Sequence, residues 1–140
     1  MSSTLLPVAG YVLGGGALAA VESLVAPPRE PDSPIAPPRA GFGIAWSILF
    51  AMMGVARARL DPPRRGNVDT LFALCATYPL YTLGMRSRRL AYLGNAVVAA
   101  QAARAALDAS RRDTTSALLI GAVVPWVAYA TAILLTDRDD

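Results

Sequence analysis

Three aromatic residues recur at every fourth position of one apolar run: Phe42, Trp46 and Phe50. On an α-helix this spacing stacks the three rings along one face. Such a face can contact a flat hydrophobic ligand, although helices more often bury an aromatic stripe against their neighbours. The spacing therefore predicts either a ligand wall or a packing surface.

Other side chains offer little covalent or acid–base chemistry. The chain has no histidine and one cysteine, so imidazole catalysis, histidine–metal sites and internal disulfides are excluded. Cys75 lies in an apolar run and is interpreted as a small packed side chain. Glu22 and Asp69 lie near predicted helix ends, where we expect them to meet lipid headgroups. Asp113 precedes two threonines and is interpreted as a helix N-cap. We predict that the protein is not an enzyme and requires no cofactor or metal.

The composition is that of a polytopic membrane protein. Apolar residues make up 54% of the 140 residues, charged residues make up 16%, and the mean hydropathy is +0.41. Soluble domains carry about 25% charged residues. The charges cluster between long uncharged runs, which argues against a soluble enzyme, a nucleic-acid-binding protein or a disordered chain. A net charge of +3 suits residues that flank lipid headgroups.

The apolar runs predict an all-α fold, a single domain over residues 1–140 that forms a bundle of five transmembrane helices. A helix needs about 20 mostly apolar residues to cross the bilayer. The predicted spans cover about residues 4–26, 40–57, 68–85, 89–108 and 114–136. The fourth contains Asn95, Gln101 and Arg104, so it is too polar to face lipid on all sides. Its alanines, and Gly14 to Gly16 in the first span, favour close helix contacts.

Topology and compartment follow less directly from the charges. The first run lacks a positive cluster and a clear cleavage site, so we expect a retained helix instead of a signal peptide. Five spans would place seven arginines on the N-terminal side and six on the other, which does not predict an orientation. The chain shows no Arg-rich amphipathic presequence. We therefore expect a prokaryotic cell membrane instead of an organelle.

The loop between the first two spans, residues 27–39, is rich in proline. Proline fixes φ and removes a backbone donor, so it stiffens the segment. Two interpretations remain open: a rigid lid over one end of the bundle, and a plain semi-rigid connector.

The residues after this loop resemble the signature of the TspO/translocator protein family, also called tryptophan-rich sensory proteins or peripheral benzodiazepine receptors. The shared pattern is a proline pair, aromatic residues at intervals of four, and Met-Gly-x-Ala. It is represented here by Pro37, Pro38, Phe42, Trp46, Phe50 and Met53-Gly54-Val55-Ala56. Near the C-terminus, Pro125-Trp126 with Tyr129 is similar to the family's Pro-Tyr-x-x-Trp segment, with the aromatic residues exchanged.

The third span departs from the family pattern. There the family has a glutamine, then Leu-Asn-x-x-Trp, an aromatic pair and a glycine. Aligning that glycine with Gly84 places Leu71 at the glutamine, Cys75 at the asparagine and Tyr78 at the tryptophan. The family's first loop also carries tryptophans, and this loop has none. The chain is therefore similar to a divergent member of the family.

The resemblance implies a membrane receptor for a flat hydrophobic ligand such as a porphyrin, another tetrapyrrole or a sterol-like molecule, with a regulatory or transport-related role. Pro37 and Pro38 would shape the lid, and Arg39 would either pair with a ligand carboxylate or anchor the helix at the interface. The remaining ligand-binding residues implied are aromatic: Phe42, Trp46, Phe50, Tyr78, Trp126 and Tyr129.

A second interpretation is a structural or regulatory partner without a small ligand. The glycines of the first span and the alanines of the fourth favour it, and the resemblance also implies a homodimer. A transporter is the least supported alternative, because five short helices show no paired-charge pathway. Expected partners are thus the bilayer, a hydrophobic small molecule and a second copy, and no nucleic acid.

Overall fold

Helices alone make up the regular structure of the described residues. A computed structural model describes residues 4–25, 30–83 and 86–138. Within these ranges the helices are α1 Leu5–Val25, α2 Arg39–Arg59, α3 Pro62–Ala76, α4 Tyr78–Tyr81, α5 Arg88–Ser110, α6 Thr114–Gly121 and α7 Val123–Thr136. Among the described residues, three helical stretches are long and apolar enough to cross a membrane: Leu5–Val25, Ala40–Arg59 and Thr114–Thr136.

The described residues thus form seven helices, and the predicted count of five is not confirmed. Two of the boundaries are single residues, Thr77 between α3 and α4 and Ala122 between α6 and α7. A proline follows each of them, Pro79 in α4 and Pro125 in α7. Proline has no N–H and clashes with the carbonyl four residues earlier, so it interrupts a helix and is accommodated in the first turn of the next one.

Helix bounds differ from the predicted spans where a local signal extends a helix. The third helix begins at Pro62 instead of residue 68, because prolines at its first two positions have the φ angle that a helix start requires. The predicted end of that span includes residues 84 and 85, which lie outside the described residues. The side chain of Ser87 caps α5 by accepting from Leu90 N over 3.3 Å. Asp113 likewise caps α6, as predicted, by accepting from Thr115 N over 3.3 Å.

The Met-Gly-x-Ala segment lies where α1 and α2 are in close backbone contact. A Cβ atom at Gly54 would lie 2.6 Å from the Cα of Val8. Met53 and Ala56 are fully buried beside it. Cys75 is also buried in the core, as predicted, and forms no disulfide.

Ion pairs hold together the end of the bundle where α2 turns into α3 and α5 turns into α6. Arg57 Nε donates to Asp69 Oδ1 over 2.7 Å, and Arg59 Nε donates to Asp113 Oδ2 over 2.7 Å. Hydrogen bonds from Arg59 and from Ser116 hold the pKa of Asp113 well below its usual range. The opposite end, where residues 30–38 lie, carries the cavity described next.

Candidate functional site

A cavity of about 580 Å³ lies between the helices beneath the first loop. Its walls come from α1, α2, α4, α5 and α7, and residues of the 30–38 segment form its cover. Ligand sites in proteins commonly have volumes of roughly 300–1,000 Å³ and mostly apolar walls. Six of the nine predicted site residues line it: Pro37, Pro38, Phe42, Trp46, Tyr78 and Trp126.

The cover is attached to the C-terminal end of α7. A backbone hydrogen bond connects the two segments, because Arg138 N donates to Asp32 O over 2.9 Å. In addition, Asp32 N donates to Asp137 Oδ1 over 3.0 Å. The hydroxyls of Ser33 and Thr136 are 2.6 Å apart and share a hydrogen bond. These contacts place the proline-rich segment across the cavity, which is the arrangement expected of a lid.

Aromatic rings from α2 and α7 meet at one wall of the cavity. The Trp46 and Trp126 rings pack edge to face with centroids 6.1 Å apart. Phe42 also packs edge to face on Trp126, with a centroid separation of 6.1 Å. The geometry leaves ring faces and edges available to a flat apolar ligand.

Phe50 lies in the core and is not among the residues that line the cavity, so its predicted ligand contact stays a prediction. The side chain is 7% exposed and packs edge to face on Phe72 with centroids 5.1 Å apart. Gly15 of α1 lies directly over the Phe50 ring, where a Cβ atom would lie 2.5 Å from it. Because α1 closes over α2 at this level, the aromatic stripe passes from cavity wall to core within one helical turn.

Tyr129 contacts the cover and Trp126. The Tyr129 hydroxyl donates to the carbonyl of Ile35 in the cover, and its ring packs on Trp126 with centroids 5.6 Å apart. Tyr129 therefore contacts the cover and the Trp126 ring, and it is not among the residues that line the cavity. The side chain of Arg39 lies outside the described residues, so its predicted pairing with a ligand carboxylate stays a prediction.

A polar network crosses the inner wall, and the sequence analysis did not predict it. Tyr78 Oη donates to Asn95 Oδ1 over 2.8 Å, and Asn95 Nδ2 donates to Thr131 Oγ1 over 3.0 Å. Asn95 is buried and lines the cavity. An amide from α5 thus supplies polarity at the cavity wall. The signal was present in the sequence, since Asn95 interrupts an apolar run.

Two buried polar atoms near the cavity have no hydrogen-bond partner in the described structure. One is the indole nitrogen of Trp126, a donor on a residue that lines the cavity. The other is Glu22 Oε1, an acceptor on α1. Glu22 is 2% exposed, so the expectation that it meets headgroups is wrong. Buried polar groups normally have partners, and an unpaired one has a free-energy cost.

Acidic side chains are the charged groups among the described lining residues. They are Glu30 and Asp137, both near the cover. Asp137 also lies 3.9 Å from Arg88 through their side-chain oxygen and nitrogen atoms. Among the described residues no group of three His, Cys, Asp or Glu side chains is placed to hold a metal ion. The cavity therefore offers shape, aromatic surface and a few directed hydrogen bonds.

Comparisons with known proteins give a family assignment. The family model named TspO/MBR family matches residues 3–136, which is nearly the whole chain. Searches among curated proteins and among solved structures found no match. The matched range includes the proline-rich cover, the aromatic wall and the Gly54 contact, and we conclude that the chain belongs to the TspO/MBR family.

Proposed function

We propose that this membrane protein of the TspO type binds a flat hydrophobic molecule, a tetrapyrrole or a ligand of similar shape, in the covered cavity. The observation that carries the proposal is the cavity of about 580 Å³ with Trp46 and Trp126 on one wall. An apolar, partly enclosed space of this size buries most of the surface of a small flat ligand. Binding would then serve a regulatory or transport-related role.

Fluorescence titration with protoporphyrin tests the proposal. Trp46 and Trp126 are the two tryptophans of the chain, and both line the cavity. We expect saturable quenching of the detergent-purified protein. Trp46→Phe and Trp126→Phe should each remove part of the signal, while protoporphyrin absorbance still reports binding. Quenching that rises linearly without saturation, in protein that remains helical by circular dichroism, would contradict ligand binding in the cavity.

The proposed role is binding without a chemical step and without a required cofactor. Among the described residues, the polar side-chain groups that line the cavity are an amide, a phenol, a serine hydroxyl, an indole and two carboxylates. The side chains of Asn95 and Tyr78 are hydrogen-bonded to each other, which favours positioning of a ligand over proton transfer. Unchanged protoporphyrin recovered after incubation in light and in darkness would support this part of the proposal, and a protein-dependent product would contradict it.

We also propose that the chain crosses a prokaryotic cell membrane five times. In this topology α3 with α4 forms one interrupted span, α6 with α7 forms another, and α5 is a span that keeps its polar side packed on neighbours. Membrane helices tolerate such interruptions where neighbouring groups satisfy the freed backbone. Cysteine-accessibility labelling in cells should place residues 30–38 and the α4–α5 turn on the same side. Labelling from opposite sides would contradict five spans.

A structural or regulatory partner is the second candidate function. Gly10 and Gly16 of α1 each have open space where a Cβ atom would be, and they lie on different faces of the helix, so another helix could approach closely at either one. A homodimer through α1 would use one of these two faces. Either Gly10→Leu or Gly16→Leu should then convert dimer to monomer in light scattering of the detergent complex. A dimer that persists in both variants would exclude both faces.

A further inference from the structure

Glu22 is a buried carboxyl group on an otherwise apolar helix. It is 2% exposed, and Oε1 has no hydrogen-bond partner. Burying a charged group without a partner is costly, so such groups are normally paired with a cation, protonated or bound by a ligand. An ionisable residue inside a membrane segment is for this reason a candidate functional group.

Among the described residues, no side chain donates a hydrogen bond to Glu22 Oε1. Tyr81 of α4 lies near it, but the Tyr81 hydroxyl donates to Leu74 O over 2.7 Å. Arg57 binds Asp69, which also accepts from Tyr11. Tyr11 and Glu22 are separated by about 16 Å along α1, at about 1.5 Å per residue. The Arg57–Asp69 pair thus contacts α1 at Tyr11, about three helical turns before Glu22.

The helix that carries Glu22 contributes to the cavity wall. Ala19 lines the cavity, and Glu22 follows it by one helical turn on the same helix. Side chains on an α-helix lean toward its N-terminus, so the Glu22 side chain extends toward the level of Ala19. Trp126, which lines the cavity, presents a buried indole N–H without a partner. An unpaired donor thus lies in the cavity wall, and an unpaired acceptor lies one helical turn from the lining residue Ala19.

We propose that Glu22 forms a cation subsite of this cavity, which pairs with the protonated amine of a flat hydrophobic ligand. The inference rests on the proposed function and narrows its ligand class. Acidic residues are the charged groups among the described lining side chains, which favours a cation over an anion. A charge pair in a site shielded from water is also stronger than one at a surface. The Trp126 N–H would then donate a hydrogen bond to an acceptor atom on the same ligand.

Three pyrene derivatives of similar size test the proposal: 1-pyrenemethylamine, 1-pyrenemethanol and 1-pyrenecarboxylic acid. Pyrene accepts energy from tryptophan, so each can be titrated against Trp46 and Trp126 in an uncharged detergent at neutral pH. We expect the amine to bind at least about tenfold more tightly than the alcohol, equivalent to about 1.4 kcal/mol. The carboxylate should bind most weakly.

Two matched variants test whether Glu22 causes the preference for the amine over the alcohol. Glu22→Gln keeps the shape and removes the charge, so the amine and alcohol affinities should come within about twofold of each other. Glu30→Gln removes an exposed acid that also lines the cavity, and the preference for the amine should remain. Equal wild-type affinities for amine and alcohol, or a preference that persists in Glu22→Gln, would overturn the subsite.

The outcomes separate this inference from the proposed function. Saturable binding of the alcohol without a preference for the amine overturns the subsite alone, whereas no saturable binding of any probe overturns both. If Glu22→Gln does not fold, the wild-type protein still gives a test. Dicyclohexylcarbodiimide labels carboxyl groups in apolar surroundings, and mass spectrometry reports labelling of Glu22. The amine should protect Glu22 and the alcohol should not; equal labelling in both cases would overturn the proposal.

Discussion

Replacing Gly54 by alanine tests the close contact between α1 and α2. The new Cβ atom would lie 2.6 Å from Val8 Cα and 2.9 Å from Val8 N. Ordinary van der Waals contact begins near 3.4 Å, so α1 would have to move by about 0.8 Å, the difference between 3.4 and 2.6 Å. Both atoms belong to the backbone, which cannot rotate away as a side chain can. Overpacking of this kind costs about 1–3 kcal/mol.

The matched control is Gly66→Ala in α3, where a Cβ atom would meet nothing within 4 Å. Alanine favours a helix by about 1 kcal/mol over glycine at both positions, so the comparison removes the propensity term. We expect the unfolding free energy of Gly54→Ala, measured by SDS titration with circular dichroism, to be about 1–3 kcal/mol below that of Gly66→Ala. Equal stabilities of the two variants would refute the close-contact argument.

Three further predictions follow from the site and its supports. Asn95→Ala leaves the Tyr78 and Thr131 hydroxyls without this partner. The variant should lower the unfolding free energy by about 1 kcal/mol in the same SDS titration. No change would show that the network is not needed for stability. Tyr129→Phe removes the hydroxyl that donates to Ile35 of the cover. Protoporphyrin should then dissociate about fivefold faster in stopped-flow measurements, the equivalent of about 1 kcal/mol, whereas an unchanged rate would separate the cover from ligand release. The pKa of Asp113 is lowered in the folded protein, chiefly by the hydrogen bond from Arg59. The folded state therefore binds a proton at Asp113 less readily than the unfolded state does. The stability that the Asp113 carboxylate contributes is present above the unfolded pKa of about 4 and is lost as the pH falls below it. In Asp113→Asn the unfolding free energy should fall less steeply below about pH 4 than in the wild type. The same pH dependence in both proteins would contradict a stabilising role of the Asp113 carboxylate.

The aromatic wall was predictable because its signal is local. A spacing of four residues places Phe42 and Trp46 on one helix face whatever the helix packs against. The same spacing could not show where the wall ends. Phe50 becomes a core residue because Gly15, on a different helix, allows α1 to close over it. That contact depends on tertiary packing and has no local pattern.

The contacts of the cover and of the buried polar groups also depend on tertiary packing, which the local sequence pattern does not show. Prolines predicted a stiff segment, but its attachment to α7 depends on pairs such as Tyr129 with Ile35, which are 94 residues apart. Asn95 was recognised as polar, and its pairing with Tyr78 depends on how α4 and α5 pack. Glu22 was expected at headgroups because it lies near the end of an apolar run. It is buried instead, since α4 lies close to that end of α1.

The central claim is that the ligand occupies the cavity, and one comparison tests it most directly. Ala130 of α7 lines the cavity, whereas Ala128 of the same helix is exposed on its outer face. Ala130→Phe should place a ring in the space that the ligand needs, and Ala128→Phe should not. Measured by protoporphyrin absorbance, the affinity should fall at least about tenfold in Ala130→Phe and stay within about twofold of wild type in Ala128→Phe. Equal affinities of the two folded variants would contradict binding in the cavity.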